Sequence, residues 1–134
     1  MSYHTATIRC LEHPDDRTGL AYLITLCLEI EYYQQGAAFI FEKMKVDKLD
    51  TETAARLGAL YYAAGHFPEA ERILKKVTLA QPELVPPHLI LGDIYFQTGQ
   101  TKEMKYHFRE VLRLAPDHPR RDFILKQLEQ DFEL

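Results

Sequence analysis

The sequence predicts an all-α protein: antiparallel helix pairs stacked in series and closed by a C-terminal capping helix. Three observations carry that prediction. First, residues 57–65 (LGALYYAAG) return as residues 91–99 (LGDIYFQTG), an offset of 91 − 57 = 34 residues. Second, the same offset aligns Glu69 with Glu103, Leu74 with Phe108, Val77 with Val111 and Pro82 with Pro116. These matches fall at helical spacings rather than on alternate residues, so the repeated unit is helical. Third, Gly65 and Gly99 stand where a helix needs a left-handed stop, and prolines stand where one starts or has just ended.

The elements follow in order. Residues 1–16, with TATIRCLEH, read equally as a short helix or an arm. Residues 17–50 form a degenerate unit: the shift by 34 maps Leu57 to Leu23, Ala70 to Gly36 and Leu74 to Ile40. It also maps Gly58 to Ile24, Tyr61 to Cys27 and Pro82 to Lys48, so the repeated signature is lost while apolar contacts survive. Terminal units are often atypical because one side has no neighbour. Within residues 51–84, Asp50 and Thr51 supply an N-terminal cap, and the first helix runs to about Ala64. Pro68 fits the first turn of the second helix, where its missing N–H costs nothing, and Glu69 complements the dipole. Residues 85–118 repeat the plan, opening at Pro86-Pro87, turning at Gly99, restarting near Thr101 and stopping before Pro116. In residues 119–134, Pro119 opens a helix whose Ile124, Leu128 and Phe132 form an apolar stripe that covers the last pair.

The pattern Leu57-Gly58-x-x-Tyr61, Ala70-x-x-x-Leu74, Pro82 resembles a tetratricopeptide repeat, and Leu91-Gly92-x-x-Tyr95 with Phe108 and Pro116 resembles a second copy. Departures from the family are Ala54 and His88 where Trp is frequent, and Met104 where Ala is usual. The resemblance implies a right-handed superhelix in which Tyr61 and Tyr95 are packing residues and the first helices line a concave groove. It implies a protein-interaction module rather than an enzyme, either an adaptor or a small chaperone or co-chaperone.

Composition limits the alternatives. With Lys+Arg 16 against Asp+Glu 20, the formal net charge of −4 argues against a sequence-independent hold on nucleic acid or on anionic lipid. The most apolar run, residues 20–30, is too short and too charged to insert into a membrane. The N-terminus lacks the apolar core of a secretory signal, and Cys10 and Cys27 are too few for a disulfide framework, so a reduced, cytoplasmic protein is expected. A pairing of those two cysteines with each other stays open. Cys10-x-x-His13 with His4 nearby is short of the four ligands of a structural zinc site, so no metal or cofactor is expected. His66, His88, His107 and His118 read as loop or helix-end residues, with His107 facing solvent. Tyr32 and Tyr33 read as a cover for the end of the first helix. No phosphate loop, nucleophile elbow or paired-carboxylate motif is present, and no catalytic residue is assigned.

The candidate binding residues lie on the first helices, on a stripe distinct from the core stripe. Ala55, Ala59 and Tyr62 form one set at i, i+4, i+7, flanked by Arg56; Leu89, Asp93 and Phe96 form the next, flanked by Ile90 and Gln97. Subtracting 34 adds Tyr22 and Leu28, with Ala21 and Thr25, from the degenerate unit. This mostly apolar lining suits an apolar helix or extended segment of another protein, with Arg56 and Asp93 setting register through exposed ion pairs. Burying Tyr62, Leu89 and Phe96 contributes about 1.5–3 kcal/mol each. Association costs of roughly 4–15 kcal/mol oppose this and leave micromolar binding. The alternative is a self-associating scaffold whose groove is filled by its own chain or by another copy. The groove lacks the Lys/Arg/Asn set with which some relatives clamp a partner's C-terminal carboxylate.

Overall fold

A computed structural model describes residues 1–129 of the 134. Among these residues the secondary structure is eight α-helices and no strand: α1 Tyr3–Glu12, α2 Arg17–Glu29, α3 Tyr33–Lys43, α4 Thr51–Ala63, α5 Phe67–Ala80, α6 Val85–Gln97, α7 Thr101–Leu114 and α8 Arg121–Glu129. The fold is all-α, and the chain divides into two compact units, Met1–Ile73 and the residues from Leu74 onward.

In the first unit the open question of residues 1–16 resolves as a helix. The Ser2 hydroxyl caps α1 by accepting the Thr5 N–H at 3.2 Å, and Ala6 and Cys10, one turn apart, seal against α2. Asp16 caps α2 by accepting the Gly19 N–H at 3.0 Å, which with the Arg9 guanidinium holds its carboxyl below the usual carboxylate range. Leu20, Leu23, Ile24 and Cys27 of α2 are fully buried, facing α3 and α4. Gly36 on α3 is a close-approach position: a Cβ there would stand 2.4 Å from the Cys27 Sγ. Arg17 donates to the carbonyls of Lys45 (2.9 Å) and Asp47 (3.2 Å) and so pins the loop that leads into α4. Asp50 caps α4 by accepting the Thr53 N–H at 3.1 Å.

The turns between paired helices repeat in conformation as the sequence repeats. Gly65 and Gly99 have φ of +84° and +75°, and 34 residues before Gly65 the non-glycine Glu31 holds φ at 59°. The bond that closes each turn recurs at the same interval: Tyr32 N–H to Cys27 carbonyl, His66 N–H to Tyr61 carbonyl and Gln100 N–H to Tyr95 carbonyl, at 2.8–2.9 Å. This is the 6→1 bond of a Schellman stop, which satisfies a carbonyl the helix leaves open. The turn between α2 and α3 therefore has the same geometry as the later two while lacking the glycine. Tyr32 sits in that turn, where its ring meets the edge of Tyr3 at 5.0 Å.

In the second unit, Pro86 and Pro87 occupy the first turn of α6. Leu91, Ile94 and Tyr95 of α6 pack against Met104, Phe108 and Val111 of α7. Gly92 admits the Phe108 ring, since a Cβ would lie 2.3 Å from its Cε1. α8 packs on α7, burying Ile124 and also Gln127, while Leu128 is half-buried. Phe132 lies outside the described residues.

One sequence expectation is corrected in this unit. His107 lies inside α7 and does not face solvent; it is 9% exposed and meets His88, which is 2% exposed in the first turn of α6. The reason is register: both positions fall on the α6–α7 contact, which the repeat reserves for packing.

Candidate functional site

Each first helix separates a sealed stripe from an open one. On α4, Leu57 and Tyr61 are buried, while Ala55, Ala59 and Tyr62 are half-buried and Arg56 is exposed. On α6, Leu91 and Tyr95 are buried, while Leu89, Ile90 and Asp93 are half-buried and Phe96 and Gln97 are exposed. On α2, Leu20, Leu23 and Cys27 are buried, while Leu28 is half-buried and Tyr22 exposed.

Within the first unit, the Tyr22 hydroxyl donates to the Met1 carbonyl at 3.3 Å. Its ring lines a cavity of about 180 Å³ together with Ala6, Arg9, Thr18 and Gly19, between α1 and α2. Tyr62 stacks on Phe67, with ring centroids 5.5 Å apart, which fixes the aromatic face at the end of α4. Arg56 donates to Glu52 one turn earlier at 2.7 Å, and both are exposed. Such a pair contributes only a few tenths of a kcal/mol, roughly 0.3–0.5.

Within the second unit, Asp93 is likewise engaged. Arg120 holds it with two hydrogen bonds, Nη1 to Oδ2 at 2.8 Å and Nη2 to Oδ1 at 3.0 Å, a bidentate pairing with geometric specificity. The Arg120 guanidinium also lies over the Phe123 ring at 4.9 Å, and the edge of Phe123 meets Phe96 at 5.6 Å. Arg56 and Asp93 therefore each have a charge partner within their own unit. The sequence pattern missed Arg120 because it lies 27 residues from Asp93, beyond any helical spacing.

The remaining reactive groups are quiet. Both cysteines are free and buried, and burial pushes the Cys27 thiol up to about 11, so it is a thiol rather than a nucleophilic thiolate at neutral pH. Burial also raises Tyr61, to about 12, consistent with its packing position. Cys10 is buried whereas His13 is exposed. Among the described residues, no group of three or more His, Cys, Asp or Glu is placed to hold a metal ion. Nor, among them, is any helix long and apolar enough to cross a membrane.

The comparisons with known proteins agree with this architecture. The tetratricopeptide-repeat family profile matches residues 86–118, which span α6, α7 and the turn between them. Among solved structures, the fold is similar to that of the Arabidopsis OM64 TPR domain, with a TM-score of 0.71 at 18% identity over 85% of this chain and 94% of that one.

Proposed function

From the premise that this chain carries a tetratricopeptide repeat and folds as a tetratricopeptide-repeat domain, we propose that it binds an apolar segment of another protein along its first helices. The surface is the half-open stripe of α4 (Ala55, Ala59, Tyr62) with Tyr22 and Leu28 of α2 in the first unit, and that of α6 (Leu89, Ile90, Phe96) in the second. The resemblance assigns these stripes to the concave groove. The observation that carries the reading is their partial exposure beside fully sealed core stripes on the same helices. Partly open apolar residues in helical register suit an amphipathic helix or extended peptide. Arg56, Asp93 and Gln97 form the polar margin of the surface. The role is that of a non-catalytic adaptor or small chaperone in the cytoplasm, where two free thiols persist. It involves neither nucleic acid nor membrane insertion.

The test is capture of a partner by the wild type, by Tyr62→Glu/Leu89→Glu, and by a control of equal charge change per site at exposed Arg72 and Lys102. Loss in the stripe variant alone supports the reading. Equal capture by all three removes the site from these helices.

A second reading has its own observation. The chain's own Arg120 and Phe123 cover part of the α6 stripe through Asp93 and Phe96. In that reading the stripe is self-filled, and the protein acts as a scaffold that associates with further copies. Concentration-dependent growth in light scattering supports it, and a 15.6 kDa monomer at all concentrations contradicts it.

A further inference from the structure

The second unit contains a buried titratable pair that the binding surface does not use. His88 of α6 and His107 of α7 meet Nδ1 to Nδ1 at 3.0 Å. Proton bookkeeping fixes their tautomers. His88 Nε2 lies 2.8 Å from the Pro82 carbonyl, an oxygen that only accepts, so Nε2 carries the hydrogen. The Nδ1 of neutral His88 is therefore bare, and His107 must donate its Nδ1–H across the helix contact. The neutral pair is a directional bond between α6 and α7.

Its surroundings disfavour protons. His107 stacks on Tyr95 at 5.7 Å and meets the edge of Tyr106 at 4.9 Å. From α5, Lys75 lies over the Tyr95 ring at 6.0 Å and opposes a further positive charge. On α7 itself, Glu110 favours the proton, but Arg113 clamps it with bonds of 2.8 and 3.2 Å. Burial first, then His88, pushes His107 down to about 4 from 6.5. A proton on His107 goes to Nε2 and leaves the Nδ1–H donor in place, whereas a proton on the bare Nδ1 of His88 would set two N–H groups face to face at a distance that fits one hydrogen.

We propose that the His88–His107 pair is an acid-sensitive latch: proton uptake by the buried His107 favours the form in which the α6–α7 contact is open, and so loosens the helix that bears the Leu89–Asp93–Phe96 stripe. The consequence for binding rests on the function proposed above; the latch itself does not. The sign follows from linkage. The unfolded or opened form binds the proton near 6.5 and the closed form near 4, so protection is complete above the first value and falls as pH drops toward the second. Between pH 7 and pH 5 those two values give an increase of roughly twenty-fold in the opening equilibrium.

The experiment is hydrogen exchange by mass spectrometry on the full chain at pH 7 and pH 5, corrected for intrinsic exchange rates. The latch predicts about a twenty-fold loss of protection in α6 and α7, unchanged α2 and α3, and near-constant protection in a His88→Gln/His107→Asn variant. Wild-type protection equal at the two pH values, or the same loss in the variant, overturns it. Nitrogen-15 NMR of the wild-type imidazoles supplies a reading should the variant fail to fold: His107 protonated at Nδ1 at neutral pH and titrating well below 6 supports the latch, and titration near 6.5 refutes it.

Discussion

Replacing Gly92 with alanine sets two effects of opposite sign against each other. Gly92 lies within α6, where helix propensity alone favours Ala by about 1 kcal/mol. The new Cβ, however, would stand 2.3 Å and 2.4 Å from Cε1 and Cδ1 of Phe108, with Cζ at 3.1 Å. Carbon atoms pack at about 3.5–4.0 Å, so the ring must retreat by more than about 1 Å. It has little room to do so, being fully buried with the edge of Phe123 at 6.1 Å. Overpacking of this kind costs typically 1–3 kcal/mol, and a ring met nearly face-on belongs at the upper end. Net destabilisation of about 2 kcal/mol follows after the propensity gain is subtracted. Urea unfolding followed by circular dichroism measures it, with Phe108→Leu as the relieving background. In that background Gly92→Ala should cost little or stabilise, giving a coupling energy of about 2 kcal/mol, within the range for residues in contact. A Gly92→Ala variant as stable as wild type, or about 1 kcal/mol more stable, would refute the close-packing account of this glycine.

Two further predictions concern the turns and the Asp93 contact. Glu31 holds a left-handed φ of 59° without need of its exposed side chain, so Glu31→Gly should stabilise the first unit by about 0.5–1 kcal/mol, the relief of strain exceeding the added freedom of the unfolded chain. A loss of stability in urea unfolding would show that the side chain contributes there. Arg120→Ala leaves the Asp93 carboxylate, 14% exposed, without its bidentate partner and should cost about 1–2 kcal/mol, less than a buried pair because Arg120 is itself 39% exposed. Its amide exchange should quicken in α8; unchanged exchange would mean that Phe123 and Ile124 hold the helix alone.

Much of this fold is legible in the sequence because the repeat states each contact twice. The 34-residue match of Leu57, Gly58, Tyr61 and Gly65 with their later copies predicts both helix pairs and the positive φ at Gly65 and Gly99. Helix α1 lies outside the repeat register, and its buried Ala6 and Cys10 are too few to declare an apolar face. The first turn hides because Glu31 stands where the later units carry glycine. The histidine pair does leave a mark in the repeat. Subtracting 34 from His88 and His107 gives Ala54 and Ile73, so a polar pair replaces an apolar one at matched positions. The Arg120–Asp93 bond leaves none, since only the folded second unit brings position 120 back to α6.

The central claim is that the half-open stripes of the first helices contact a partner. A photo-crosslinking residue placed singly at Ala59, Leu89 or Phe96, with Arg72 and Lys102 as controls, tests it in cells without disturbing the rest of the chain. Binding along these stripes gives the same crosslinked protein from the three stripe positions and none from the controls. Crosslinks confined to the controls, or stripe positions that capture only this chain itself, would contradict it.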